Sequence, residues 1–76
     1  MLGDYRWAAS APSWDQAAAR WREFLARHAP PGGEFQDNFQ KLHIDAAHME
    51  LARVYYVLGR IEEGDREMRS VKPGME

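Results

Sequence analysis

Four side chains in one short stretch of the chain are of types that bind metal ions. They are His43, Asp45, His48 and Glu50. Asp45 precedes His48 by three residues, a spacing at which helical bundles direct an acid and a histidine toward one metal ion. A metal site needs three or four ligands that converge on one point. Their convergence therefore depends on the helix that carries them.

That helix is predicted over residues 37–59, which form the longest stretch with a helical pattern of apolar side chains. The apolar sector consists of Phe39, Leu42, Ala46, Ala47, Leu51, Val54, Val57 and Leu58, flanked by Ile44, Met49, Tyr55 and Tyr56. A narrow strip is left to face water, made of Lys41, Asp45, His48, Ala52 and Gly59. Because well over half of the circumference is apolar, we expect a central helix that at least two others cover.

This arrangement divides the candidate ligands. Asp45 and His48 fall on the polar strip, whereas His43 and Glu50 project toward the apolar sector. One helix cannot bring all four together, so a metal site would require a symmetric dimer in which two chains contribute ligands. The alternative is that Asp45 and His48 form a solvated pair, and that Glu50 pairs with Arg53 three residues on.

Nucleophilic catalysis has few candidate residues. The chain has no cysteine or threonine, and its serines stand only at positions 10, 13 and 70. Ser13 is explained as a helix cap, with Gln16 three residues on. His28, on the apolar edge at the end of a predicted helix, is expected either to interact with the helix dipole or to pack its imidazole. We therefore expect neither enzymatic activity nor a cofactor.

Composition indicates a folded domain of modest charge. The 76 residues are 45% hydrophobic and 29% charged, with a net charge of −2. These values exclude a disordered chain and give no electrostatic basis for binding nucleic acid. No apolar stretch is long enough to span a membrane, and the first ten residues lack the features of a signal peptide. We expect a cytoplasmic protein.

The chain is predicted to be one all-α domain of three helices over residues 1–76. The helices lie near 13–29, 37–59 and 60–72, after an irregular arm at 1–12. Two prolines and two glycines at 30–33 end the first helix. The third helix has a weak apolar stripe and depends on the central helix for its stability.

The segment from Leu51 to Gly64 resembles the core of a tetratricopeptide repeat, and the resemblance extends over about residues 49–73. Its matching positions are Leu51, Ala52, Tyr55, Gly59 and Gly64, with Pro73 as the terminating proline. Gly59 would supply a left-handed turn, and small residues at 52 and 64 would let two helices approach closely. The resemblance implies a single helix-turn-helix hairpin that binds a protein or peptide, without catalysis.

Apolar surface in excess of what 76 residues can cover predicts an interaction module that self-associates or joins a larger assembly. The candidate partner-binding residues are Trp7, Trp21, Met49, Tyr55 and Tyr56. The alternative hypothesis is a helical metal- or cofactor-binding protein that uses His43, Asp45, His48 or Glu50 across a dimer.

Overall fold

The computed structural model describes residues 2–71, which form four α-helices. The helices are α1 (Leu2–Ala9), α2 (Trp14–His28), α3 (Asn38–Val57) and α4 (Ile61–Ser70), with a single 3-10 turn at Pro31–Gly33. No strand occurs within this range, and the all-helical class is confirmed. The helices α2, α3 and α4 occupy the three segments predicted to be helical. Residues 72–76, including the predicted end of the third helix and Pro73, lie outside the described range.

The N-terminal segment differs from the expected irregular arm. Residues 2–9 form α1, although so short a helix has little stability of its own. Tertiary contacts explain it. The ring of Tyr5 meets Trp21 edge-to-face at 5.0 Å and Phe24 at 5.7 Å, measured between centroids. The helix is therefore held by aromatic packing that has no local pattern in the sequence.

Polar contacts fasten both ends of α1 to α2. The Arg20 Nη1 atom donates a hydrogen bond to the Trp7 carbonyl at 2.8 Å, and the guanidinium lies 4.9 Å from the centre of the Trp7 ring. At the other end, His28 Nε2 lies 2.8 Å from Asp4 Oδ2. This hydrogen bond from His28 holds the pKa of Asp4 below its usual value. His28 thus has a partner in α1, which its position in the sequence did not indicate.

Side-chain caps explain why α2 and α3 begin where they do. Ser13 accepts a hydrogen bond from the Gln16 amide at 3.2 Å, and Asp37 accepts one from the Gln40 amide at 2.8 Å. The Gln40 side chain in turn accepts from the Gln36 amide at 2.7 Å. Amides left without partners at each helix start are thereby satisfied.

Helix α3 is central, because it packs against both α2 and α4. Its buried apolar residues are Ile44, Ala47, Leu51, Ala52, Val54 and Tyr55. Most of the strip expected to face water is instead covered: Asp45 is 8% exposed and Ala52 is fully buried, whereas Gly59 is exposed as expected. Helix α4 lies along this side, where His48 Nδ1 is 2.8 Å from Glu67 Oε1. The periodicity of α3 had not revealed that a polar side would receive a neighbouring helix.

Gly59 makes the turn between α3 and α4. Its φ of +80° lies in the left-handed region, as the sequence predicted. The Gly59 amide donates to the Tyr56 carbonyl at 3.1 Å, and the Arg60 amide donates to the Tyr55 carbonyl at 2.8 Å. These two bonds form a Schellman motif, which satisfies carbonyls at the end of α3.

Gly64 permits close approach within the α3–α4 hairpin. A Cβ atom at position 64 would lie only 2.6 Å from the Tyr56 ring. Both Gly64 and Ala52 are buried. The absence of a side chain at 64 therefore lets the Tyr56 ring lie against α4.

We predict that alanine substitutions at two glycines will have effects of opposite sign. At Gly59 nothing lies within 4 Å of the added Cβ, so only the left-handed backbone opposes alanine. Gly59→Ala should lower the free energy of unfolding by about 1–2 kcal/mol. Gly3→Ala also meets nothing within 4 Å but lies in α1, so it should raise that free energy by up to about 1 kcal/mol. Urea denaturation at one protein concentration measures both, and effects of the same sign would contradict this account.

Candidate interaction surface

Large apolar side chains are exposed in a row along α3. Phe39 is 54% exposed, Leu42 65%, Met49 43% and Tyr56 37%. Ala46 and Arg53 fill the intervening positions of the row, so that its members alternate three and four residues apart. We call this row the α3 seam: Phe39, Leu42, Ala46, Met49, Arg53 and Tyr56.

Alternating steps of three and four define the contact positions of a heptad repeat, the pattern with which one helix packs along another. From Phe39 to Tyr56 the seam is about 26 Å long at the rise of an α-helix. The seam therefore runs along most of the molecule, whose largest extent is 31 Å. The core and α4 cover the other sides of α3, so the seam is the side of this helix that the described part of the chain leaves open.

One flank of the seam faces α1 and carries His43 and Glu50. His43 Nδ1 donates to the Phe39 carbonyl at 2.8 Å, and its ring meets Tyr5 edge-to-face at 5.6 Å. Glu50 makes the predicted pair with Arg53, at 3.8 Å and with both side chains substantially exposed. A pair with this geometry adds little stability, so both charges stay available to a neighbouring molecule.

The C-terminal end of the seam is fixed by a hydrogen bond. The Tyr56 hydroxyl donates to Asp65 Oδ1 at 2.6 Å. This bond raises the pKa of Tyr56, because the carboxylate stabilises the protonated phenol. With its ring against Gly64 and its hydroxyl on Asp65, Tyr56 is held in one orientation on the surface.

A cleft of about 370 Å³ adjoins the seam. It lies between the α1–α2 connection and α3, and Glu50 and Arg53 are among the residues that line it. Trp14, on the opposite wall, is 46% exposed. Exposed apolar surface thus continues from the seam toward the start of α2.

The five residues predicted to bind a partner separate into two groups. Trp7, Met49 and Tyr56 are exposed, whereas Trp21 is 2% exposed and Tyr55 is 4% exposed. Trp21 packs in the aromatic core, and the Tyr55 hydroxyl accepts a hydrogen bond from Arg22 Nη1 at 3.2 Å. Trp21 and Tyr55 are therefore core residues of this chain and do not belong to its surface.

Sequence reasoning missed two members of the seam. Phe39 and Leu42 were assigned to the buried sector of α3, but both are more than half exposed. The helix is apolar on nearly all sides, and periodicity alone does not say which side its neighbours cover. The alternation of three and four residues from 39 to 56 was present in the sequence, but the buried side of α3 alternates in the same way, so it did not distinguish the two sides. The buried row is Ile44, Ala47, Leu51, Val54 and Leu58.

The four candidate metal ligands are distributed around α3. They are His43, Asp45, His48 and Glu50. Asp45 pairs with Lys41 at 2.7 Å and His48 with Glu67 at 2.8 Å on the side that faces α4. His43 lies on the seam flank instead. Among residues 2–71 no group of three or more histidines and acids is placed to hold a metal ion.

Comparison with known proteins gives no relative for this chain. No family model matches it, nor does any curated protein or solved structure. Within the described residues, no helix combines the length and apolar character that crossing a membrane requires.

We predict that Asp65→Asn will lower the pKa of Tyr56 toward its ordinary value of about 10, because the amide no longer favours the protonated phenol as a carboxylate does. Tyr5 is an internal control, since its pKa is raised mainly by burial and then by Glu50. Its pKa should not move. A pH titration of the tyrosine ring-carbon resonances by NMR measures both groups. An unchanged Tyr56 pKa in Asp65→Asn and in Asp65→Ala would contradict the assignment.

Proposed function

We propose that this chain is a non-catalytic protein-interaction module that assembles with a second copy of itself through the α3 seam. One observation carries the proposal. A helix already covered on its other sides keeps a heptad row open to solvent, and four of the six positions in this row carry large exposed apolar residues.

The small size of the chain limits how much apolar surface it can bury. A domain of this length buries only about 60% of the surface that its unfolded chain exposes. Burial of apolar area is favourable by about 25 cal/mol per Å², so the exposed parts of Phe39, Leu42 and Met49 are a source of binding free energy. Contiguous apolar surface rimmed by polar groups is typical of interaction sites. His43 and Glu50 supply such a rim.

A second copy is the partner that the seam's pattern favours. Heptad positions on one helix fit into the gaps between heptad positions on another, and a second α3 presents the same pattern at the same length. Homo-oligomers with a two-fold axis are also the commonest soluble assemblies. A second copy of the chain therefore supplies a matching heptad row, and no other protein is needed.

The α3–α4 hairpin supports an interaction role as well. We propose that it is a single hairpin of the tetratricopeptide type. The left-handed Gly59 and the buried pair Ala52 and Gly64 are consistent with this assignment. Repeats of this type bury their apolar faces by stacking on neighbours. A lone copy would have a face to cover, and self-assembly would cover it.

The proposal is tested by the mass of the protein in solution over a hundredfold dilution, by light scattering or sedimentation. We expect the wild-type chain to be a dimer, at twice its 8.8 kDa. Leu42→Lys should weaken association by at least about 100-fold, because a cation placed at the contact without an opposite charge facing it costs several kcal/mol. Leu42 is mostly exposed in one chain, so circular dichroism should show that the variant keeps its helices.

Ala26→Lys is the matched control, since it adds the same charge at an exposed position of α2. Its mass should equal that of the wild type. A wild-type mass of 8.8 kDa at every concentration would refute self-assembly. Equal dissociation of Leu42→Lys and Ala26→Lys would show that added charge, not the seam, controls the mass.

A further inference from the structure

The α3 seam has the same spacing when its direction is reversed. Its positions are symmetric about a point between Ala47 and His48. Reversal exchanges three pairs of residues: Phe39 with Tyr56, Leu42 with Arg53, and Ala46 with Met49. An antiparallel pair of α3 helices can therefore keep every seam residue in register with a seam residue of the partner.

We propose that two copies of this chain pack their α3 helices antiparallel about a two-fold axis that passes near Ala47 and His48. The proposal rests on the self-association proposed above and adds its orientation and register. In the alternative, a parallel two-fold dimer, each seam residue would lie opposite its own copy. Charge, size and flanking residues of the seam favour the antiparallel arrangement.

The charge of Arg53 favours the antiparallel dimer. A parallel dimer would place Arg53 directly against the partner's Arg53, with two like charges close together at a partly dry interface. In the antiparallel dimer these residues lie about 16 Å apart along the axis at the helical rise. Arg53 then lies against the partner's Leu42, where its aliphatic stem can pack while the guanidinium remains in water.

The sizes of the central side chains also favour the antiparallel dimer. Close packing requires that large and small residues alternate across an interface. Antiparallel packing puts Ala46 against the partner's Met49, twice, at the centre of the contact. A parallel dimer would put alanine against alanine at one level and methionine against methionine at the next. The central levels of the seam are therefore complementary only in the antiparallel orientation.

The flank that carries His43 and Glu50 favours the antiparallel dimer as well. In an antiparallel pair like flanks face each other, so the flank of one chain meets the same flank of the other. His43 then lies within about 3 Å, along the axis, of the level of the partner's Glu50. Because Nδ1 already donates to the Phe39 carbonyl, His43 can donate to this carboxylate only through Nε2, as an imidazolium, and the two-fold axis would repeat the pair.

The absence of cysteine from the sequence makes a cross-linking test direct, because any disulfide must come from introduced residues. Leu42→Cys and Arg53→Cys chains would be mixed and oxidised, and each would also be oxidised alone. A disulfide needs Cα atoms within about 7 Å. The antiparallel dimer brings position 42 near position 53 of the partner and keeps like positions about 16 Å apart. We expect the mixed disulfide only in the mixture, and at most a trace of disulfide in either single sample.

Phe39→Cys with Tyr56→Cys repeats the test at the ends of the seam, in case the first pair weakens assembly. Ala26→Cys, on the exposed face of α2, measures background oxidation. Disulfides in the single-variant samples well above that background would overturn the antiparallel orientation while leaving self-association intact. An assembled protein in which neither pair cross-links would overturn the seam as the contact. A monomeric wild-type chain refutes both proposals, and its mass, measured first, distinguishes that result from the others.

Discussion

The structure depends on how a 76-residue chain covers its one long helix. Helix α3 needs neighbours on every apolar side, and α1, α2 and α4 are short. Helix α2 supplies Trp21 and Phe24 to the core, and α1 adds Tyr5 to the same cluster. Helix α4 closes a second side. The third side, the α3 seam, has no helix left to cover it within residues 2–71, and this shortage leaves the large apolar residues of the seam exposed.

The way α4 packs explains why the uncovered side is the apolar one. The side of α3 beneath α4 carries Asp45 and His48, and each has a partner, Lys41 or Glu67, at hydrogen-bonding distance. Burying such groups is tolerable only when they are paired. Among the described side chains no buried polar atom lacks a hydrogen bond. Helix α4 thus lies over a polar side of α3 whose charged groups are paired, Asp45 within α3 and His48 with α4, while the apolar seam remains in solvent.

Local signals in the sequence predicted most of the helices, but they predicted few of the contacts between helices. Caps at Ser13 and Asp37 and the left-handed Gly59 act within a few residues, so the sequence alone indicated where α2, α3 and α4 begin or end. Helix α1 was not predicted, because it is stabilised by Tyr5 and by distant Arg20. The same limit applies to the candidate site. Met49 and Tyr56 were expected at the surface, but a helix that is apolar nearly all round did not reveal that Phe39 would be exposed or that Tyr55 would be buried.

An exposed apolar row would promote indiscriminate aggregation unless its order restricted how it can pair. Arg53 imposes such a restriction. It lowers the apolar content of the seam, and so reduces the affinity of any contact, but it is repelled by its own copy in parallel alignment. Polar residues at single heptad positions are known to trade stability for a defined register. Ala46 restricts pairing further, because the space beside a small side chain is best filled by a large side chain from the partner. The same six positions that leave α3 incompletely covered therefore also limit which surface can complete it.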